Sequence, residues 1–555
     1  MIFIRRILLL WVFSFAAAAA EPPGAAAIAS AHPIATEAGH SILAHGGNAF
    51  DAAVATAAAL AVVEPASSGL GGGGFWLLHR AGDGFEVMVD ARERAPLAAT
   101  PTMYLDKTGQ VIPNLSRNGA LAAAIPGAPA ALVHVAQKYG RLPLARSLAP
   151  AIRLAQEGFA VSRGYRKLAQ ARVAGLTATP EAAQIFLHNG SVPELGLVVR
   201  QPDLAKTLSR LAEAGHDGFY SGLTAQRLVA GVVAAGGIWS PRDLAEYRVI
   251  ERVPLHATYG KIRVTTTALP SGGVVLLQTL AILQNYSLTQ MEPSRRDHVL
   301  IEAMRLAYRD RARYLGDPDV VKVDVERLLS PVYIRTLRRE ISHRATPSEA
   351  TPEQQRPRAA TGTNTTHFSI IDRDGNRVAA TLSINSPFGS GFVPPDTGVL
   401  LNNEMDDFAA KPGTPNLYGL VGFDANAIAP GKRPLSSMTP TFLEDNDRVA
   451  VLGTPGGSRI ISMVLLATLD FARGRGTAAD WVKRPRFHHQ YLPDIVQYEP
   501  DALTDGQIRK LQQWGHKLKR LDNGYGNMQM VVLYKKTGRL EAASDPRGEG
   551  GAQVK

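Results

Sequence analysis

Hydrophobic and polar positions change period several times along this chain, and each change predicts an element. From Asn48 to Val63 the run NAFDAAVATAAALAVV is apolar nearly all round, which predicts a buried helix. Asn48 is placed to cap its free first-turn amides. GLGGGG, from Gly69 to Gly74, separates that helix from FWLLH, an apolar run suited to a strand. Helical spacing returns over 121–160, interrupted at Pro126-Gly127, and again over 203–235 and 296–316. SRIISMVLLATLDFA, after Gly456-Gly457, predicts one more helix. The chain has no internal repeat.

The pattern breaks at 346–364, TPSEATPEQQRPRAATGTN, which has almost no large apolar residue and predicts an exposed flexible segment. HFSIID, RDGN and RVAATLSIN follow, two strands joined by a tight turn containing Asp374-Gly375. Phe368 and Ile370 in the first strand, and Val378, Ala380, Leu382 and Ile384 in the second, are all even-numbered. Successive side chains point to opposite faces, so the apolar sets share a face only if even positions oppose even ones. That requires an odd loop, such as Asp374-Gly375-Asn376 flanked by Arg373 and Arg377. The other face then sets Thr365, His367 and Ser369 opposite Asn385, Ser383 and Thr381. Such a polar face is either a site at a strand terminus or the solvent side of an antiparallel sheet.

At 555 residues the chain exceeds the roughly 250–300 at which single cores stop growing, so two domains or one large layered domain are expected. A chain 45% hydrophobic and 20% charged is neither disordered nor fibrous as a whole. Zero cysteines exclude thiolate zinc sites, thiol nucleophiles, iron–sulfur clusters and disulfide scaffolds. The net charge of +11 is scattered, without a dense Lys/Arg tract, and points to no nucleic-acid partner. Residues 1–20 place Arg5 and Arg6 before an apolar run from Ile7 to Phe15 and end on Ala18-Ala19-Ala20, the layout of a cleaved signal peptide. The apolar run is shorter than the ~20 residues a membrane span needs. A periplasmic or secreted protein with no stable membrane span is expected.

Gly69, Gly71 and Gly74 fit G-x-G-x-x-G, but that motif needs a strand before the glycines and a helix after them. The order here is reversed, and a flexible helix-to-strand turn is expected instead. His488 and His489 are adjacent and diverge on a helix or a strand alike. No structural metal and no cofactor are expected.

Asn364-Thr365-Thr366-His367 follows the linker, and four more clusters accompany it: DARERAP (Asp90 to Pro96), LLNNEMDDF (Leu400 to Phe408), KRPLSSMTP (Lys432 to Pro440) and GTPGGSRI (Gly453 to Ile460). Together, in this order and spacing, they resemble the γ-glutamyltranspeptidase family of N-terminal-nucleophile hydrolases, from SAHPIATEAG (Ser30 to Gly39) to SDPR (Ser544 to Arg547). The resemblance implies an α+β fold, a four-layer αββα sandwich built jointly by a large subunit, 21–364, and a small catalytic subunit, 365–555. It also implies self-cleavage between Asn364 and Thr365. A threonine hydroxyl is a poor nucleophile until a base takes its proton, and a freed α-amine on the same residue supplies that base.

The remaining site residues are assigned by the same resemblance. Ser383 takes the place of a threonine that hydrogen-bonds the nucleophile; serine keeps the hydroxyl and loses the β-branch. Arg92, with the hydroxyls of Ser436 and Ser437, grips the substrate α-carboxylate, while Glu404, Asp407 and Asn385 take its ammonium. By its residues alone Arg92 reads equally well as a structural pair with Asp90 or Glu93. Gly456 and Gly457, at a helix start, offer backbone N–H groups to an oxyanion. Lys411 to Asp424 resembles a lid loop, with Tyr418 as its gate. The implied reaction is γ-glutamyl transfer from glutathione and related amides through a Thr365 acyl-enzyme, to water or to amino acid and dipeptide acceptors. The alternative on the same fold is a glutaryl-cephalosporin-type acylase, whose acyl group has no ammonium for Asp407 to hold.

Overall fold

A computed structural model describes residues 22–351, 354 and 364–555. The signal-like segment 1–20 and most of the expected flexible stretch 346–364 lie outside the described residues. Before that stretch the main strands are β1 (Ala27–Ser30), β2 (Gly73–Arg80), β3 (Phe85–Ala91), β4 (Ile250–Arg252), β5 (Leu255–Tyr259) and β6 (Ile262–Thr266). After it come β7 (Thr366–Ile371), β8 (Arg377–Ser383), β9 (Thr441–Glu444), β10 (Arg448–Gly453), β11 (Gln529–Tyr534), β12 (Arg539–Ser544) and β13 (Gly551–Val554). They form a seven-stranded sheet, β13-β1-β7-β8-β2-β3-β4, and a six-stranded sheet, β12-β11-β10-β9-β6-β5. Both sheets draw strands from each side of the 346–364 segment, so neither half of the chain closes a sheet alone.

Side-chain alternation builds the layers. On β2, Trp76 and Leu78 join a core with helices α1 (Pro33–Ala44), α2 (Ala49–Val63), α3 (Ala128–Tyr139), α4 (Leu144–Glu157), α5 (Pro202–Ala214) and α6 (Gly222–Ala234). Leu77, between them, meets Phe442, Val451 and Val531 of the second sheet. The outer face of that sheet packs on α7 (Gly273–Leu283), α8 (Pro293–Tyr314) and α9 (Ile460–Arg473). The molecule is therefore the expected four-layer αββα sandwich. Each large apolar side chain fully buried this way contributes about 1.5–3 kcal/mol. Trp76 adds an edge-on contact with Phe368, ring centroids 5.5 Å apart.

The α2 helix follows directly from its sequence. Asn48 Oδ1 accepts from the Phe50 and Asp51 amides at 2.9 and 3.0 Å, and the Asp51 carboxylate accepts from the Asn48 amide at 3.0 Å. Every residue from Ala49 to Val63 is buried.

Three expectations need correction. The Gly69–Gly74 run is a tight seam, not a flexible turn: a Cβ on Gly71 would lie 2.0 Å from Leu400 O, one on Gly72 2.0 Å from Ser383 O, and one on Gly74 2.2 Å from Thr381 O. The β7–β8 hairpin keeps its even-with-even parity but is slid by two residues, pairing Phe368 with Ala380 and His367 with Thr381. Its loop is Arg373-Asp374-Gly375, because Asp372 Oδ1 accepts from the Asp374 and Asn376 amides at 3.0 and 2.9 Å and draws the turn toward itself. Finally, the polar face does not meet solvent. His367, Ser369 and Thr381 are buried between the two sheets. His367 Nδ1 pairs with Thr381 Oγ1 at 2.8 Å and Nε2 with Ser369 Oγ at 3.1 Å, and Ser369 Oγ donates to Gln529 O of the facing sheet.

Candidate active site

The antiparallel topology brings the starts of β2 and β7 and the ends of β3, β8 and β10 to one end of the sandwich. Thr365 lies just before β7, and Ser383 closes β8. One step beyond the last ladder pair they stand opposite each other, with hydroxyl oxygens 3.0 Å apart. Ser383 Oγ also accepts from the Asn385 amide at 2.8 Å. Thr365 has φ +102°, an outlier for a β-branched residue and worth about 1–3 kcal/mol of strain. The preceding Asn364 is buried and donates its side-chain amide to the Tyr418 hydroxyl at 2.8 Å and to Asn385 O. Tyr418 in turn donates to Asn385 O at 2.8 Å.

These groups open onto a small pocket. Besides Thr365, Ser383, Asn385 and Tyr418, the pocket is bordered by Arg92, Glu404, Asp407, Ser436, Ser437 and Gly457. It thus carries both signs of charge. Fully buried Arg92 lies 2.8 Å from Glu404, 3.3 Å from Glu93 and 2.5 Å from Asp407, and its Nε donates to Pro434 O. Burial opposes the Arg92 charge, but Glu404, Glu93 and Asp407 outweigh it and hold the guanidinium above its ordinary pKa. Burial likewise drives the Glu404 and Glu93 carboxyls upward. Of the two structural partners open to Arg92, Glu93 pairs with it. The Asp90 carboxylate instead serves the Arg92 amide, Arg252 and Arg433.

The adjacent acids of LLNNEMDDF separate by function. Asp407 borders the pocket, whereas the Asp406 carboxylate accepts from Ser116 Oγ at 2.7 Å and from the Leu417 amide at 2.9 Å, anchoring the lid-like loop. Asn402 and Asn403 are scaffolding: Asn402 bonds Ala124 and Gly71, and Asn403 bonds Ser386 and Arg117. Asn385 donates its side-chain amide to Asn403 O and keeps its carbonyl oxygen as an acceptor.

Gly456 and Gly457 lead into α9 through a short 3-10 turn, Gly457–Arg459. Gly457 borders the pocket; Gly456 does not. The Tyr418 ring covers Gly457 closely, since a Cβ there would sit 2.5 Å from ring carbons Cδ1 and Cε1. His488 bonds Ser462 and Gln490 while His489 bonds Asp494, so the two imidazoles serve different partners. Among the described residues no group of three or more His, Asp or Glu side chains could hold a metal ion. Arg311, which no sequence motif marks, reaches the same pocket from α8. Its only signal is membership of a helix with a polar face.

The family model described as gamma-glutamyltranspeptidase matches residues 35–554. The chain belongs to the γ-glutamyltranspeptidase family. Within that family it is similar to the glutathione hydrolase proenzyme of Pseudomonas sp. (strain A14), 41% identical over 516 residues, 91% of this chain and 89% of that protein. The Escherichia coli (strain K12) glutathione hydrolase proenzyme is 40% identical over 529 residues, 94% of this chain and 90% of that one. Among solved structures, a cephalosporin acylase from Bacillus halodurans superposes with a TM-score of 0.84 at 30% identity, covering 98% of this chain and 99% of that one. The Helicobacter pylori gamma-glutamyltranspeptidase superposes with a TM-score of 0.55 at 38% identity over 58% of this chain and 92% of that one. No helix among the described residues is long and apolar enough to cross a membrane.

Proposed function

We propose that this γ-glutamyltranspeptidase-family chain is made as a precursor, cuts itself between Asn364 and Thr365, and then hydrolyses glutathione and other γ-glutamyl amides or transfers their γ-glutamyl group. The observation that carries this reading is the Thr365 hydroxyl, 3.0 Å from Ser383, on a buried pocket that offers both cationic and anionic side chains to a zwitterionic acyl group. The names of its relatives, glutathione hydrolase proenzymes, support both the substrate and the precursor.

In maturation the Thr365 Oγ attacks the Asn364 carbonyl carbon. The peptide nitrogen leaves as the Thr365 α-amine, and an ester joins Asn364 to Oγ. Water then hydrolyses that ester, releasing an Asn364 carboxylate and a free Thr365 hydroxyl. The positive φ of Thr365 is relieved by the cut. The products are a large subunit, 21–364, and a small subunit, 365–555, which stay associated as a heterodimer because both sheets interleave strands from each. Segment 1–20 is removed as a signal peptide on export to the periplasm or beyond the cell.

In catalysis the α-amine of Thr365, titrating near 7.7–8.0 in the free state, takes the hydroxyl proton as Oγ attacks the γ-carbonyl. The tetrahedral oxyanion is held by the backbone N–H of Gly457, the member of the Gly456-Gly457 pair that borders the pocket, a single donor of this kind being worth ~10²–10³ in rate. Collapse returns the proton to the leaving amine and leaves a γ-glutamyl ester on Thr365. Water, an amino acid or a dipeptide then repeats the sequence in reverse. Arg92, Ser436 and Ser437 bind the α-carboxylate; Asp407, Glu404 and Asn385 bind the ammonium; Tyr418 closes over both. Two carboxylates in the pocket favour a γ-glutamyl over a glutaryl group, which has no ammonium.

Denaturing electrophoresis with N-terminal sequencing tests the reading. Two chains, the smaller beginning at Thr365, and faster hydrolysis of γ-glutamyl than glutaryl anilide are expected. An active single chain with Thr365 still in a peptide bond would overturn it.

A further inference from the structure

We propose that Arg311 is a second anchor for the substrate α-carboxylate, acting beside Ser437, and that it makes a free α-carboxylate a requirement for good substrates. The inference rests on the γ-glutamyl reading above and adds a binding residue to it.

Arg311 lies in the last turn of α8 and is 5% exposed. It borders the pocket that holds Thr365, approaching from the second helical layer while Arg92 approaches from the end of β3. The two arginines are in opposite states. The Arg92 fork is already spent on Pro434 O, Glu93 and Asp407, with Glu404 beside it. Among the described residues the side chain of Arg311 makes one hydrogen bond, from Nη2 to Ser437 Oγ at 3.3 Å, and its buried Nε has no partner. The rest of its five-donor fork is uncommitted.

A buried guanidinium without an anion is costly, and a planar fork matches a carboxylate in two-point geometry. Asp407 attracts Arg311 through space, but its carboxylate is bonded to Arg92 and burial still holds the Arg311 guanidinium below its ordinary pKa. A γ-glutamyl group brings the missing anion and a compensating ammonium together. Its ammonium goes to the Glu404–Asp407 side, and its carboxylate goes toward Ser437, where Arg311 waits. On this arrangement Arg92 fixes the acids that receive the ammonium as much as it meets the carboxylate. Substrates in which the α-carboxylate is absent or amidated leave Arg311 unpaired.

The test compares γ-glutamyl anilide with 4-aminobutyryl anilide, which keeps the amine and the scissile amide but lacks the α-carboxylate. Both are assayed on mature wild-type, Arg311→Gln and Arg311→Lys enzymes, at enzyme concentrations high enough to read the slower substrate. Charge-assisted hydrogen bonds of this kind predict that Arg311→Gln raises KM for γ-glutamyl anilide about 10- to 100-fold, with a smaller change in kcat. The preference for the carboxylate-bearing substrate should fall by the same factor, and Arg311→Lys should restore part of it. An equal loss on both substrates overturns the proposal, as does an unchanged KM for γ-glutamyl anilide. Failure of both variants to mature into two chains also overturns it, assigning Arg311 to the fold. Wild-type enzyme inactive on γ-glutamyl anilide would instead bring down the underlying γ-glutamyl reading, and shows before any variant is made.

Discussion

The hydroxyl oxygens of Thr365 and Ser383 lie 3.0 Å apart where two central, adjacent strands end together. Ser383 holds the Asn385 amide as well, and in the proposed mechanism it orients the Thr365 hydroxyl. Its replacement by alanine strands both a hydroxyl and a buried N–H. Ser383→Ala is expected to slow appearance of the Thr365 N-terminus, and γ-glutamyl anilide hydrolysis, by about 10- to 100-fold each. Ser383→Thr should recover most of both rates. Wild-type rates in the alanine variant would remove Ser383 from the mechanism.

Gly457 is expected to tolerate no side chain. Its φ is +57° and a Cβ would press into the Tyr418 ring at 2.5 Å. Overpacking of this kind costs about 1–3 kcal/mol, so Gly457→Ala should displace Tyr418 and lower kcat/KM roughly tenfold or more. Adding Tyr418→Ala clears the space, and the double variant should lose less than the two single losses combined. Strict additivity would show that ring and glycine act apart.

Asp407 should discriminate between acyl groups. Asp407→Asn is expected to lower kcat/KM for γ-glutamyl anilide about 10- to 100-fold and to leave the slow glutaryl rate far less affected. Parallel falls on both anilides would place Asp407 outside ammonium recognition.

Acid should destabilise the fold through its buried imidazoles. Burial pushes His367 down to about 3 from an ordinary 6.5, and His488 likewise to about 3. Between those values the unfolded chain takes up protons that the folded protein refuses. The contribution of these imidazoles is therefore flat above about pH 6.5 and falls as pH drops toward 3, by up to ~1.4 kcal/mol per unit for each group, while Glu64, held up at about 7 by burial, contributes with the opposite sign. Thermal midpoints measured across that window should decline less steeply in His367→Gln than in wild type. Identical slopes would mean that the imidazole is protonated in place.

Much of this molecule is legible without coordinates, and the reasons are local. The α2 helix was readable because its cap is three residues from its partner and its apolar surface has no polar side. The hairpin faces were readable because alternation depends on parity alone. The register was not, because Asp372 chose the turn with its own side chain. Nor was the fate of the polar hairpin face, since exposed and sheet-covered strands can share one alternating pattern. The glycine run shows the same limit: its spacing suggested looseness, while Leu400, Ser383 and Thr381 crowd it from other parts of the chain.

By itself, the order of residues singled out Thr365 as the candidate nucleophile and the Asn364–Thr365 bond as the cut proposed to precede it, and it fixed the side of the hairpin on which Ser383 lies. Each depends on neighbours in the chain or on motif order. Only the tertiary structure decided that a second sheet seals the His367 layer, that Arg92 is engaged by three acids and that Arg311 stands uncommitted beside Ser437. Those outcomes turn on residues hundreds of positions apart competing for the same few ångströms, and no local period encodes which of them meet.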